Sequence, residues 1–232
     1  MPLAVLLGLD AFGELTNGER GFFTILRLAV GWLFFFAAPF ALVSAKSTGA
    51  LVGMLAGLAF LLLYNRYTRW LVVIIGFIGF CLVLFLSQLQ GVQDELLLQD
   101  RSGQIRLSMW QETRALLYDR PLTGAGLASY AERIEPYHTL VNGEGIEIFH
   151  HPHNIFLTMW INAGFVGLVG FGFLLYGFFK DSFSKSRTVE ILLVVTAMIV
   201  LIVHGLVDSP YIKNDLAILF WFLPALLLLL PR

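Results

Sequence analysis

The chain has 232 residues, of which 58% are hydrophobic and only 13% are charged, and its formal net charge is −1. The mean hydropathy of +0.79 lies above the range of soluble globular domains and excludes that class. The absence of a basic stripe argues against a nucleic-acid partner. The one cysteine, Cys81, lies within an apolar run, so neither a disulfide nor a cysteine metal site is expected.

Six long runs with almost no charge follow one another along the chain. A bilayer core about 30 Å thick needs roughly 20 apolar helical residues, and the runs are close to that length. They predict an all-α, polytopic helical membrane protein with about six transmembrane spans. The predicted spans are at about 21–44, 47–65, 70–87, 154–179, 188–207 and 214–230.

The N-terminal residues 1–9 are apolar but too short to span, and they lack the basic region of a signal peptide. They fit the end of a preceding helix, in which case the chain is the C-terminal part of a longer protein. We expect residues 1–232 to form a single membrane domain.

Basic residues divide unevenly between the two sides of the predicted membrane. By the positive-inside rule the richer side is cytoplasmic, which places the long segment at about 88–153 outside. The richer side holds Arg20, Arg66, Arg69, Lys180, Lys185, Arg187 and Arg232, and the other side holds Lys46 and Lys213.

The external segment is too long to be a simple connector, and it holds nine acidic residues against five arginines. Helical spacing predicts a helix over about 103–119 that lies on the bilayer, with Trp110 at headgroup depth. Gly124 and Gly126 follow Pro121 and predict a turn.

Other glycines recur within the predicted spans. Such spacing of small residues lets helix backbones approach closely in lipid, so we interpret them as packing positions. They are Gly49, Gly53 and Gly57 in the second span and Gly164, Gly167, Gly170 and Gly172 in the fourth.

Three histidines, His150, His151 and His153, precede the fourth span. Asn154 is a favourable N-cap, so His153 would lie at the positive end of a helix dipole, which favours a neutral ring able to accept a proton. This makes His153 a candidate general base, and the alternative is that the histidines only cap the helix or bond to headgroups. The three histidines indicate a zinc site only weakly, because neighbouring ligands in a proline-containing turn rarely converge. No bound metal is therefore expected.

Two cations are predicted near the same membrane face. Lys46 lies at the outer end of the second span and Arg106 opens the predicted surface helix. Together they would hold a phosphate or diphosphate, although either alone is more typical of a snorkelling or topology residue. His204 and Asp208 end the fifth span on this side and are candidate supporting residues, with a core position for His204 as the equal alternative.

The order of these motifs resembles the O-antigen ligase and polymerase-like family, over about residues 44–180. The resemblance implies a fold that corresponds to the C-terminal half of the family's GT-C-like membrane domain. It also implies a membrane glycosyltransferase that inverts the configuration at the anomeric carbon and needs no metal or cofactor. The motifs are the element Ser44 to Gly49, Arg106-x3-Trp110, Pro121-x2-Gly124-x-Gly126, His153-Asn154-x2-Leu157 and Ala163-Gly164-x2-Gly167.

The resemblance further implies a donor, an acceptor and a location. The enzyme would take a glycan from undecaprenyl diphosphate to a hydroxyl of the lipid A core, a growing polysaccharide or a protein, at the periplasmic face of the bacterial inner membrane. Arg106 and Lys46 would bind the diphosphate and His153 would act on the hydroxyl, although family members commonly carry arginine in place of Lys46. The supporting residues would be Trp110, Gly124, Gly126, Asn154, His204 and Asp208.

A different class of function is a non-catalytic membrane scaffold or a component of a polysaccharide transporter. A transporter is expected to carry charged or broken helices near the bilayer midplane. The polar residues of this chain gather at one face instead, and this favours the enzyme.

Overall fold

The structure is a computed structural model, and it describes most of the chain. Some positions named in the sequence analysis lie outside the described part: residues 1–9, Arg20, Lys46, Arg187, Lys213 and Arg232. The described residues are 21–45, 47–64, 66–86, 94, 97–141, 144–145, 147–185, 188–209 and 214–231.

Within these residues the chain forms seven helices of at least 16 residues, one short helix and a small hairpin. The predicted all-α membrane fold is confirmed. The hairpin was not predicted, because two-residue strands are too short to show a period in the sequence. The long helices are α1 (Phe22–Ser44), α2 (Thr48–Tyr64), α3 (Arg69–Leu86), α4 (Arg101–Asp119), α6 (Ile155–Ser184), α7 (Val189–His204) and α8 (Asn214–Leu229). Short α5 (Tyr130–Ile134) runs into a 3-10 turn (Glu135–Tyr137), and β1 (Leu140–Val141) pairs antiparallel with β2 (Glu144–Gly145).

Six of the long helices coincide with the six predicted spans, and α4 is the predicted surface helix. By length and apolar composition α3 and α6 are able to cross a membrane. The helical stretches Phe22–Leu33, Thr48–Tyr64, Val189–His204 and Ala217–Leu229 are shorter and also apolar. No residue of α3 whose burial the structure describes is buried by the rest of the protein, as expected where lipid rather than water meets the side chains.

Helices α2 and α7 pack closely through the small residues of α2. A Cβ added at Gly53 would lie 2.9 Å from the Val200 carbonyl oxygen, and one added at Gly57 would lie 2.6 Å from a methyl carbon of the same residue. At Gly49 the neighbours are Val207 and His204. The predicted packing of these glycines is therefore confirmed, and it brings the start of α2 beside the end of α7.

The glycines of α6 behave differently from this prediction. Gly164 has φ 69° and ψ −177°, which kinks α6 after its first ten residues. At Gly170 and Gly172 no atom of the described residues lies within 4 Å of an added Cβ, so a packing role is not seen there. Gly164 needs a conformation that other residues adopt only under strain, whereas the later glycines do not.

Two apolar clusters of buried residues hold α4 to α8 together. One joins α6, α7 and α8 around Phe171, Met198 and Phe220. The other packs the external segment onto the first half of α6, and its buried residues are Leu116, Leu117, Ala125, Tyr130, Ile134 and Ile161. Residues 97–141 of the predicted external segment thus form a folded cap on α6 rather than a loose loop.

A buried carboxylate fastens α4 to the hairpin. Glu112 is only 4% exposed, and its Oε1 accepts hydrogen bonds from the backbone N–H and the hydroxyl of Thr139, both at 2.9 Å. Ser108 donates to the same oxygen at 3.1 Å, and His138 Nδ1 lies 3.3 Å from Oε2. Sequence spacing did not predict this network, because an acidic residue on a surface helix is normally expected to be exposed to solvent.

Removing this carboxylate should destabilise the external segment. We expect Glu112→Ala to lower the free energy of unfolding by about 1–3 kcal/mol, because the partly buried donors on Ser108 and Thr139 lose their acceptor at once. The measurement is thermal unfolding of the purified protein in detergent, with the exposed Glu132→Ala as control. Equal melting temperatures for the two variants would contradict a structural role for Glu112.

Candidate functional site

The histidine motif forms the turn that starts α6. Asn154 is the N-cap, as predicted, and its Oδ1 accepts hydrogen bonds from the N–H groups of Phe156 and Leu157, each at 3.0 Å. Its Nδ2 also donates to the Leu206 carbonyl at 2.9 Å. Asn154 therefore both caps α6 and ties it to the turn after α7.

Further bonds join the same two segments. The N–H of Ile155 donates to the Gly205 carbonyl at 2.6 Å. The hydroxyls of Thr158 and Ser209, both buried, lie 2.6 Å apart. The start of α6 is thus held against the 204–209 turn through both backbone and side chains.

His153 has an unusual backbone that its surroundings maintain. Its φ is 47°, a region that costs a residue other than glycine energy and persists only where neighbours hold it. The preceding Pro152 is fully buried, and its carbonyl accepts the indole N–H of Trp110 at 2.9 Å. Trp110 therefore bonds to the histidine turn, and its place at headgroup depth stays a prediction.

Asp208 lies between two imidazole rings. Its Oδ1 is 3.2 Å from Nδ1 of His153 and accepts the backbone N–H of Ser209 at 2.7 Å. Its Oδ2 is 3.7 Å from Nε2 of His204. An Nδ1–H that donates to Asp208 leaves Nε2 of His153 as the proton acceptor, which is the arrangement a general base requires.

The predicted glycine turn fits into the kink of α6. The break at Gly164 leaves carbonyls without helical partners, and the Ile161 carbonyl accepts the N–H groups of Ala125 and Gly126 at 2.8 and 3.1 Å. In return the N–H of Phe165 donates to the Leu122 carbonyl at 3.1 Å. The two sequence motifs are therefore partners in one backbone junction.

Glycine is required at the junction because backbones meet there. A Cβ at Gly124 would lie 2.4 Å from the Ile161 carbonyl oxygen, and a Cβ at Gly164 would lie 2.1 Å from that of Leu122. Gly124 and Gly126 have φ values of 64° and 94°. The junction fixes the end of α4 against α6 and so positions Trp110 beside His153.

An open cleft of about 450 Å³ lies between α4 and the start of α6. It is mainly apolar, with a guanidinium and two amide groups. Its lining residues are Leu107, Trp110, Gln111, Arg114, Asn154, Phe156 and Leu157.

The sequence profile of the O-antigen ligase family matches residues 32–172, more than half of the chain. The chain belongs to the O-antigen ligase family. This is a family of membrane glycosyltransferases of the ligase or polymerase type, which act in polysaccharide and lipopolysaccharide biosynthesis. No curated protein and no solved structure matches the chain significantly.

The matched range of this O-antigen ligase family member contains the α4 arginines, the glycine junction and the histidine turn. It ends before His204 and Asp208, which only the fold brings to His153. These two had been predicted as supporting residues from their place at the end of a span.

The predicted cations are not brought together with His153 in the described cleft. Arg106 is half-buried on α4, one turn before Trp110, and neither it nor His153 lines the cleft. Lys46 lies outside the described residues. A shared cavity for these three residues therefore stays a prediction.

Arg114 and Gln111 were missed by the sequence analysis. Arg114 follows Trp110 by four residues, so both face the cleft from the same side of α4. That spacing is the signal in the sequence by which Arg114 could have been identified as a cleft residue. The motif that carries the family resemblance contains Arg106 and not Arg114.

Candidate metal ligands converge more than the sequence suggested. His151, His153 and Asp208 each offer a ligand atom, and these atoms lie within 4.8 Å of one another. His150 is exposed and does not belong to this group. The predicted lack of convergence is therefore wrong for His151 and His153, because the positive φ of His153 turns its ring back toward its neighbour.

Proposed function

We propose that this member of the O-antigen ligase family transfers a glycan from an undecaprenyl-diphosphate carrier to an acceptor hydroxyl. The reaction takes place at the periplasmic face of the bacterial inner membrane, and the acceptor is the lipid A core, a growing polysaccharide or a protein. The observation that carries the proposal is the His153–Asp208 pair, where α6 begins and α7 ends, next to a cleft that Arg114 lines.

In the proposed mechanism His153 acts as general base. Asp208 accepts the Nδ1–H, and Nε2 takes the proton of the acceptor hydroxyl while its oxygen attacks the anomeric carbon. The bond from that carbon to the diphosphate oxygen breaks, and the electron pair leaves with the diphosphate. Direct displacement inverts the configuration at the anomeric carbon, and Asp208 stabilises the imidazolium that forms.

Positive side chains supply the charge stabilisation that a metal would otherwise provide. The departing diphosphate gains negative charge, which Arg106 and Lys46 would neutralise, so the reaction is metal-independent. Arg114 adds a third cation from the wall of the cleft, and apolar neighbours such as Phe156 and Leu157 suit the isoprenoid chain.

The kink in α6 also bears on the alternative, a scaffold or transporter component. A broken helix in a transporter typically leaves backbone groups for the substrate or a coupling ion. Here the carbonyl of Ile161 and the N–H of Phe165 bond to the external segment instead. The break therefore holds the external segment in place, which supports the enzyme.

The test is an exchange of His153 for alanine at the native locus of the source bacterium, with membrane levels confirmed. We expect loss of the mature surface glycan and accumulation of its polyprenyl-linked precursor. The matched control is His150→Ala, an exposed histidine in the same turn, which should leave both unchanged. Normal glycans and precursors in the His153 variant would refute the catalytic role.

A further inference from the structure

We propose that His151, His153 and Asp208 form a Zn²⁺ site, and that occupancy of this site inhibits glycan transfer. The inhibition rests on the proposed function, because it requires His153 to be the base. Binding of the ion itself does not depend on that function.

The three ligand residues lie close together on the predicted outer side, where α6 begins and α7 ends. The ligand atoms lie within 4.8 Å of one another, and the rings of His151 and His153 have centroids 4.5 Å apart. All three residues are half-buried, so small rotations of accessible side chains bring the atoms to the distances of about 2.0–2.2 Å that zinc requires.

The donor set selects the class of ion. Two imidazoles and one carboxylate suit zinc and its neighbours in the first transition row, whereas Mg²⁺ and Ca²⁺ prefer oxygen ligands. Three protein ligands leave a fourth position for water, as in zinc sites that are open to solvent. The turn is held by Trp110 and Asn154, so the ligands are already positioned before the ion arrives.

His151 distinguishes this site from the proposed transfer machinery. Its Nδ1 lies 3.3 Å from the backbone N–H of His153, a long hydrogen bond that coordination would replace at little cost. Nothing in the proposed transfer step requires the His151 ring, but the metal site needs it as a ligand. His153 and Asp208 belong to both. A zinc ion bound at Nδ1 of His153, the nitrogen that faces Asp208, displaces the proton there and leaves a neutral ring whose proton is on Nε2, so no lone pair remains to accept the acceptor proton.

The binding test uses the full chain purified in detergent, titrated with zinc chloride by calorimetry. We expect one equivalent to bind. His151→Ala should weaken affinity by at least about tenfold, since losing even a hydrogen-bond partner of a ligand typically costs about 10–100-fold. Asp208→Asn should weaken it similarly, and His150→Ala, the neighbouring imidazole outside the cluster, should not. Absence of binding, or equal affinities for the His151 and His150 variants, would overturn the site.

The inhibition test uses membranes that carry the endogenous lipid-linked glycan, with each rate expressed relative to the same variant without zinc. We expect zinc to stop transfer by the natural chain and by His150→Ala at the same concentration. The His151→Ala chain should need at least about tenfold more zinc. Binding that depends on His151 while transfer continues at saturation would support the site and overturn both the inhibition and the role of His153 as base.

Discussion

Asp208→Asn is expected to slow glycan transfer by about 10²–10⁴-fold, the range that a positioned general base contributes. The carboxylate is 3.2 Å from Nδ1 of His153 and fixes which ring nitrogen accepts a proton. An amide lacks the negative charge that stabilises the imidazolium formed during transfer. Its nitrogen is also able to donate to the ring and impose the wrong tautomer.

The measurement is the rate at which membranes of the source bacterium consume their endogenous polyprenyl-linked glycan. Asp181→Asn is the matched control, because Asp181 lies toward the opposite end of α6, where it pairs with Lys185 at 3.6 Å. A His153→Ala, Asp208→Asn double variant should be little slower than either single variant, since the two residues act as one unit. Full activity of Asp208→Asn would remove the dyad from the mechanism.

Gly164→Ala is expected to lower the free energy of unfolding by about 4 kcal/mol. A methyl group there would lie 2.1 Å from the Leu122 carbonyl oxygen, and alanine is strained at φ 69°. Relief by straightening α6 would break the three backbone bonds made by Ala125, Gly126 and Phe165. The external segment should then detach from α6.

Gly172→Ala provides the control within the same helix. Nothing among the described residues lies within 4 Å of its added Cβ, so alanine should be neutral or stabilise by up to about 1 kcal/mol. Thermal unfolding in detergent measures both variants, and limited proteolysis of residues 97–141 reports detachment. If both substitutions shift the melting temperature equally, the junction does not hold the segment.

Much of the fold was predictable because its signals are local. A long apolar run predicts a membrane helix wherever it occurs, and the predicted spans agree with the observed helices to within a few residues, except that α6 continues to Ser184. The N-cap at Asn154 and the end of α4 near Pro121 also depend only on neighbouring residues. The motif order led to the O-antigen ligase family in the same way.

The sequence by itself thus determined the class of protein, the helices, the family and the candidate base. Only the tertiary structure decided which distant residues meet. Asp208 meets His153 across 55 positions, the Gly124 turn meets the Gly164 kink, and Arg114 lines the cleft. The physical reason is the range of the interactions. Hydropathy, capping and turn preferences act between neighbours in the chain, whereas hydrogen bonds between segments depend on how helices pack, which no local pattern specifies.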